Sequence, residues 1–402
     1  MEWLAGGVTA PAGFVAAGAC ADIKGNGAGK KDVALLASRV PCAAAGVYTT
    51  NLVKAAPVVL TRGRTETGEL QAVVANSGNA NACTGEQGMR DAAEMARLAA
   101  EALGIRPELV GVASTGVIGV PLPMDRVSAG IRAAAAALSP EGGADAAEAI
   151  MTTDTFPKQV AARLEIGGAT VTIGAMAKGS GMIHPNMATM LGFVTTDAAV
   201  DAAALREALR EATDRSFNMI TVDGDTSTND MVLVLANGLA GNAPVTLGSA
   251  GYRPFADALT AVLTHLAKEI ARDGEGATKL IEVRVTGARS LDDARKAARA
   301  VCGSSLVKAA VFGADANWGR VLAALGYSGA QFDPGKVDLW LGGLQMMRAG
   351  EPLAFNEEAA TRLLQQKEVV FTADLHAGEC EATAWGCDLT YDYVKINGSY
   401  RT

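Results

Sequence analysis

Two hydrophobic periods alternate along this chain. Ala, Leu and Met recur three and four apart over 86–103, 124–138, 143–151, 202–212, 252–270 and 291–301, which predicts amphipathic helices there. Between them lie short runs rich in Val, Ile and Ala. Those at 71–75, 109–113 and 231–236 predict buried strands, and 190–195, 279–286, 337–341 and 368–373 predict further ones. Two runs, 159–166 and 169–177, flank Gly167-Gly168 and predict a hairpin. In the first 70 residues 8–17 and 47–53 are the strand candidates, and 219–222 is a short one. The alternation over 381–394 predicts one long strand, followed by a frayed polar end from Asn397. The helix–strand alternation crosses residue 189 without a linker, a low-complexity segment or an internal repeat. The pattern therefore predicts a mixed α/β fold whose two halves form one interlocked body.

Composition narrows the class. A chain of 402 residues has room for two or three domains or two interleaved halves. With 49% apolar residues but 5% aromatic, its core is built mainly from Ala, Val, Leu and Ile. The 46 glycines predict many tight turns and close backbone contacts. A net charge of −8 argues against nucleic acid as a main partner. No apolar run reaches the ~18–20 residues of a membrane helix, and the first 20 residues lack the pattern of a signal peptide. Six scattered cysteines fit a reducing cytoplasm, and the three histidines have no ligand spacing, so no metal is expected.

Five stretches carry candidate chemistry. The first is Lys178-Gly-Ser-Gly-Met-Ile-His-Pro-Asn-Met-Ala-Thr-Met-Leu-Gly-Phe193. It reads either as a Gly-rich turn before a buried strand or as a self-cleavage site between Ala188 and Thr189. In the second reading Thr189 becomes an N-terminus and holds both a nucleophilic hydroxyl and a free α-amine. Such an amine has a pKa of roughly 8 and can serve as base. Next, Ser114-Thr-Gly-Val-Ile-Gly119 follows a strand and is either a β-turn or an oxyanion hole made by Thr115 and Gly116. The cluster Thr152-Thr-Asp-Thr-Phe-Pro-Lys158 either holds a zwitterionic substrate or is a solvated cap and turn. Glu275, between two glycines, is either a ligand for an ammonium group or a solvated turn acid. The fifth, Asp223-Gly-Asp-Thr-Ser-Thr-Asn-Asp230, has Val234 where a calcium loop needs Glu, so a polar site wall is the better reading. A further polar loop is expected over Asn76-Ser-Gly-Asn-Ala-Asn-Ala-Cys-Thr-Gly85.

Taken together and in order, these motifs resemble the ornithine acetyltransferase family of arginine biosynthesis, also called bifunctional glutamate N-acetyltransferase. Asp273-Gly-Glu-Gly276, Asn317-Trp-Gly-Arg320, Ile396-Asn397 and Tyr400-Arg-Thr402 extend the likeness over nearly the whole chain. Ala309, where the family pattern has threonine, is a small departure outside these motifs. The resemblance implies a mixed two-sheet sandwich flanked by helices, cut into an α chain (1–188) and a β chain (189–402) that pair as α2β2. It implies that Thr189 takes the acetyl group of N2-acetylornithine and passes it to glutamate. Thr115 and Gly116 match the oxyanion pair, and Thr152, Lys178, Thr189, Glu275, Asn397 and Thr402 match substrate-binding positions. No cofactor is implied, although some members take acetyl-CoA as a co-substrate. An autoprocessing aminopeptidase or amidase of similar fold is the alternative, since water can attack the same acyl-threonine. A non-catalytic binding protein is a third reading, and it requires no cleavage.

Overall fold

The computed structural model describes residues 1–184 and 190–399. The expected cut between Ala188 and Thr189, and Thr402, lie outside the described residues.

Two sheets carry the fold. The larger has nine strands, and eight follow in the order Glu2–Leu4, Lys158–Ile166, Ala169–Lys178, Leu191–Thr196, Met231–Ala236, Val33–Tyr48, Glu69–Asn79 and Val110–Val117. The ninth, Phe14–Ala19, pairs with Val33–Tyr48. Leu191–Thr196 runs parallel to Met231–Ala236, and Glu69–Asn79 parallel to Val110–Val117; the other pairings are antiparallel. The two strands of this sheet that follow residue 189 are thus flanked, as a pair, by strands that precede it. The smaller sheet runs Glu351–Pro352, Leu344–Arg348, Asp338–Leu341, Glu368–Asp374, Leu280–Ala288 and Cys380–Cys387.

Side-chain alternation on the central strands explains the layering. Leu191, Phe193, Met231, Leu233 and Leu235 join one apolar cluster, with Ile150 and Ala146 of the helix Gly143–Ala149 and its C-terminal cap. Val194, Val232 and Val234 face the opposite way. They meet the helices Ala202–Arg215 and Tyr252–Arg272. Tyr252–Arg272 packs against strands of both sheets, and its Leu259, Leu263 and Leu266 are buried. The helices Gly85–Leu103 and Met124–Ala136 cover the far end of the large sheet.

Several expectations need correction. The strand Val33–Tyr48 replaces the one expected at 47–53; exposed Arg39 and Pro41 interrupt its alternation where its register slips. Strand Phe14–Ala19 lies later than 8–17. The predicted loop from Asn76 begins inside a strand that continues to Asn79. The segment 219–222 is a helical turn, Phe217–Met219, followed by a single bridge from Ile220 to Trp385. The long strand over 381–394 ends at Cys387. There Asp388 accepts hydrogen bonds from the Thr278 and Lys279 N–H groups and turns the chain into the helix Tyr391–Ser399. Tyr391 and Val394 are exposed on that helix, so their alternation reflected no sheet. Helices Ala56–Thr65, Ser305–Phe312, Trp318–Tyr327 and Glu357–Leu364 are short and were not predicted.

Because both sheets share Tyr252–Arg272, Leu259→Ala is expected to lower stability by ~2–5 kcal/mol in a single unfolding transition, followed by urea titration with fluorescence and circular dichroism. Two resolved transitions would contradict a shared core.

Candidate active site

Strand ends, a buried charge network and two polar loops converge on one cavity of about 110 Å³. Its lining includes Thr115, Gly116, Thr152, Lys178, Glu275 and Asn397, six residues expected from the sequence to act together. Ala188, Thr189 and Thr402 lie outside the described residues.

Thr115 and Gly116 sit in Val110–Val117, beside Ser77 and Gly78 of the parallel neighbour. Both sit within the strand and not on a turn after it. Gly116 has φ +132°, and a Cβ there would overlap the backbone of Gly78 and Asn79. Only glycine fits this close approach. Asn229 braces the same strands by donating to the Ala80 carbonyl at 2.6 Å and the Ser114 carbonyl at 2.8 Å. Ser114 in turn donates to Asn76 at 2.6 Å. These bonds fix the strand edge whose Thr115 and Gly116 line the cavity.

Lys178 ends the strand Ala169–Lys178, and its ammonium is nearly inaccessible, with 3% of the side chain exposed. It donates to the Thr152 hydroxyl at 2.8 Å and lies 3.8 Å from Asp154. Burial pulls the Lys178 ammonium below its ordinary value, and Asp154 opposes that. Asp154 also takes the Lys158 ammonium at 2.8 Å and the Gly179 N–H at 2.7 Å. Burial pushes the Asp154 carboxyl upward, but Lys178, Lys158 and the Gly179 N–H outweigh it and hold the group ionised. Lys158 pairs further with Asp273 at 2.6 Å. In the 152–158 cluster, then, Asp154 and Lys158 are not solvated and do not face the cavity. Asp154 is the dry counter-charge for Lys178 and Asp273 supplies a second one for Lys158, while Thr152 and Thr153 line the space.

Glu275 is tied to the same region by its backbone, which donates to the Ser180 carbonyl at 2.9 Å. Its carboxylate accepts from Asn397 Nδ2 at 2.7 Å and lies directly against Gly181. Any Cβ at residue 181 would overlap that carboxylate. Glu275 is therefore a buried acid and not a solvated turn residue. Asn397 reaches it from the terminal helix Tyr391–Ser399, where a frayed polar end is expected from the sequence.

The loop 223–230 forms a wall, as its residue types suggested. Asp223 accepts the N–H groups of Met182 at 2.6 Å and Ile183 at 2.9 Å. Met182 has φ +57°, a left-handed conformation that this carboxylate stabilises. Burial raises the Asp223 carboxyl against these donors. Among the described residues no group of His, Cys, Asp or Glu is arranged to hold a metal, and no helix is long and apolar enough to cross a membrane. Asp223, Asp230, Asp273, Ser180 and Tyr393 escaped individual assignment from sequence. The Asp273-Gly-Glu-Gly276 spacing was a usable sign for one of them, because it carries Asp273 along with Glu275.

Asp154→Ala leaves the buried Lys178 ammonium without its carboxylate and Lys158 with Asp273 alone, and is expected to cost ~3–5 kcal/mol, read from denaturant unfolding. The sign of its pH dependence follows. The folded state holds this carboxyl below its unfolded value of about 3.9, so the contribution is complete above that pH and disappears as pH falls through the folded value. The stability gap between wild type and variant should close on acidification, and a gap that widens would contradict the pairing.

The pattern of the ArgJ family matches residues 15–402. An arginine biosynthesis bifunctional protein ArgJ of Symbiobacterium thermophilum is 94% identical over 402 residues, covering 100% of both chains. A crystal structure of the Bacillus halodurans protein of that name is 51% identical, with TM-score 0.51, and covers 52% of this chain and 98% of its own. An ornithine acetyltransferase of Mycobacterium tuberculosis, solved with ornithine, is 48% identical over 46% of this chain and 97% of its own, with TM-score 0.43. The chain described here belongs to the ArgJ family.

Proposed function

We infer that Thr189 carries the reaction of this arginine-biosynthesis acetyltransferase. After a cut between Ala188 and Thr189, the threonine α-amine takes the hydroxyl proton and the oxygen attacks the acetyl carbonyl of N2-acetylornithine. Thr115 Oγ and the Gly116 N–H receive the oxyanion, a contribution of roughly 3–4 kcal/mol per donor. Ornithine leaves with the proton, and glutamate enters the same cavity and takes the acetyl group. One site serves both half-reactions, so ping-pong kinetics follow.

The observation that carries this reading is the single cavity lined by Thr115, Gly116, Thr152, Lys178, Glu275 and Asn397, at the end of the strand that leads toward residue 189. Lys178 and Thr152 offer a cation and a hydroxyl to the α-carboxylate that both substrates share. Glu275 offers its carboxylate to the δ-ammonium of ornithine, and Thr402 adds a hydroxyl. The half-length of the solved Bacillus halodurans chain is close to the share that residues 189–402 would take, which supports a two-chain enzyme. An α2β2 assembly and acetyl-CoA as a second donor, with no other cofactor, complete the proposal. A hydrolase would release acetate from the same intermediate, but membership of a biosynthetic family favours transfer.

Incubation with N2-acetylornithine and labelled glutamate should give labelled N-acetylglutamate, and Thr189→Ala should abolish it. Free acetate that glutamate does not suppress would favour the hydrolase. Glu275→Gln, and Gly181→Ala through displacement of Glu275, should each raise KM for N2-acetylornithine by about tenfold or more, and KM for glutamate far less.

A further inference from the structure

Asp230 closes the loop 223–230 just before the strand Met231–Ala236, and no step above uses it. It is fully buried. Its Oδ1 accepts the Met190 N–H at 2.9 Å. Its Oδ2 is buried with no hydrogen-bond partner, one of two such side-chain atoms among the described residues. A buried carboxyl oxygen left unpaired is rare and calls for a reason. Met190, whose N–H Asp230 holds, is the residue that follows Thr189 in the chain. The carboxyl is therefore anchored to the residue that comes directly after the expected cut.

We propose that Asp230 supplies the proton to the scissile Thr189 nitrogen and afterwards faces the freed α-amine through Oδ2. The proposal rests on the reading of Thr189 as cut site and nucleophile. In the cut, the Thr189 oxygen bonds to the Ala188 carbonyl carbon as the C–N bond breaks. The nitrogen takes the Asp230 proton, and the hydroxyl proton replaces it. Water then splits the ester, giving its OH to the Ala188 carbonyl and its hydrogen to the Thr189 oxygen. Loss of the Asp230 proton to solvent leaves a carboxylate facing a neutral amine. That carboxylate stabilises the ammonium formed each time Thr189 gives up its hydroxyl proton, as an aspartate does for the imidazolium of a hydrolase triad. The surroundings suit a group that begins protonated. Burial pushes the carboxyl well above its usual range, against the pull of the Met190 N–H.

The test uses the full-length chain. Asp230→Asn keeps an acceptor for the Met190 N–H but has no acidic proton. Intact mass with time gives the cutting rate, calorimetry gives the melting temperature, and acetyl exchange gives kcat and KM on the cut fraction. The expected result is cutting slowed by ~10²–10⁴-fold, with kcat of the cut fraction lowered at least about tenfold, KM for glutamate within about twofold and melting near wild type. A folded Asn variant that cuts and exchanges like wild type overturns the proposal. If the Asn variant melts far below wild type, Asp230→Glu decides: retained cutting supports a role for the carboxyl, and a folded Glu variant that does not cut overturns it. A wild-type chain that stays whole, or a Thr189→Ala chain that still exchanges, overturns the threonine reading itself. A cut wild type with an unaffected Asn variant overturns only the role of Asp230.

Discussion

A lysine ammonium can be kept dry only where carboxylates meet it, and that requirement organises this molecule. Lys178 stands at the end of a central strand with almost no access to water. Asp154 faces it, Lys158 faces Asp154, and Asp273 faces Lys158. These four groups come from the segment around 152–158, from the strand Ala169–Lys178 and from the end of the helix Tyr252–Arg272. Removing one charge strands the others in a medium that penalises an unpaired ion heavily. The network thus ties the two parts of the chain on either side of residue 189 together, independently of any peptide bond between them.

The same network sets the cavity's chemistry. Asp154 and Lys158 do not line the cavity, so Lys178 and Thr152 are left to face a ligand. Asp273 precedes Glu275 by two residues, and its backbone carbonyl accepts from Ser180 at 2.7 Å. That bond and the Ser180–Glu275 backbone bond place the Glu275 carboxylate against Gly181. A cation and an anion are thereby held on the walls of one small space, with the Thr115–Gly116 edge also lining it. An amino acid with a carboxylate and a distant ammonium matches that charge pattern better than a neutral ligand would.

Much of this was legible in the residues, and the exceptions have physical causes. The hairpin around Gly167-Gly168, the strand Met231–Ala236 and the long helices were plain because period and burial coincide there. The strand Val33–Tyr48 was obscured by its register slip at exposed Arg39 and Pro41. The start of the terminal helix Tyr391–Ser399 reads as strand because its apolar Tyr391 and Val394 are exposed and carry no burial signal. Within the site, Thr115, Lys178 and Glu275 were recognisable from motifs. Asp154, Lys158 and Asp273 were not assignable individually, since a carboxylate and a lysine in one turn look the same whether solvated or buried. Only the fold brings Asp273 to within 2.6 Å of Lys158, 115 positions away.

The central claim is that one threonine, freed at its own nitrogen, carries the acetyl group. The most direct measurement is mass analysis of the protein after brief exposure to N2-acetylornithine without glutamate, with the modified residue located by peptide sequencing. The account predicts one acetyl group on the hydroxyl of an N-terminal Thr189, lost when glutamate is added. An unmodified Thr189, or an acetyl group on any other side chain that glutamate removes, would contradict it.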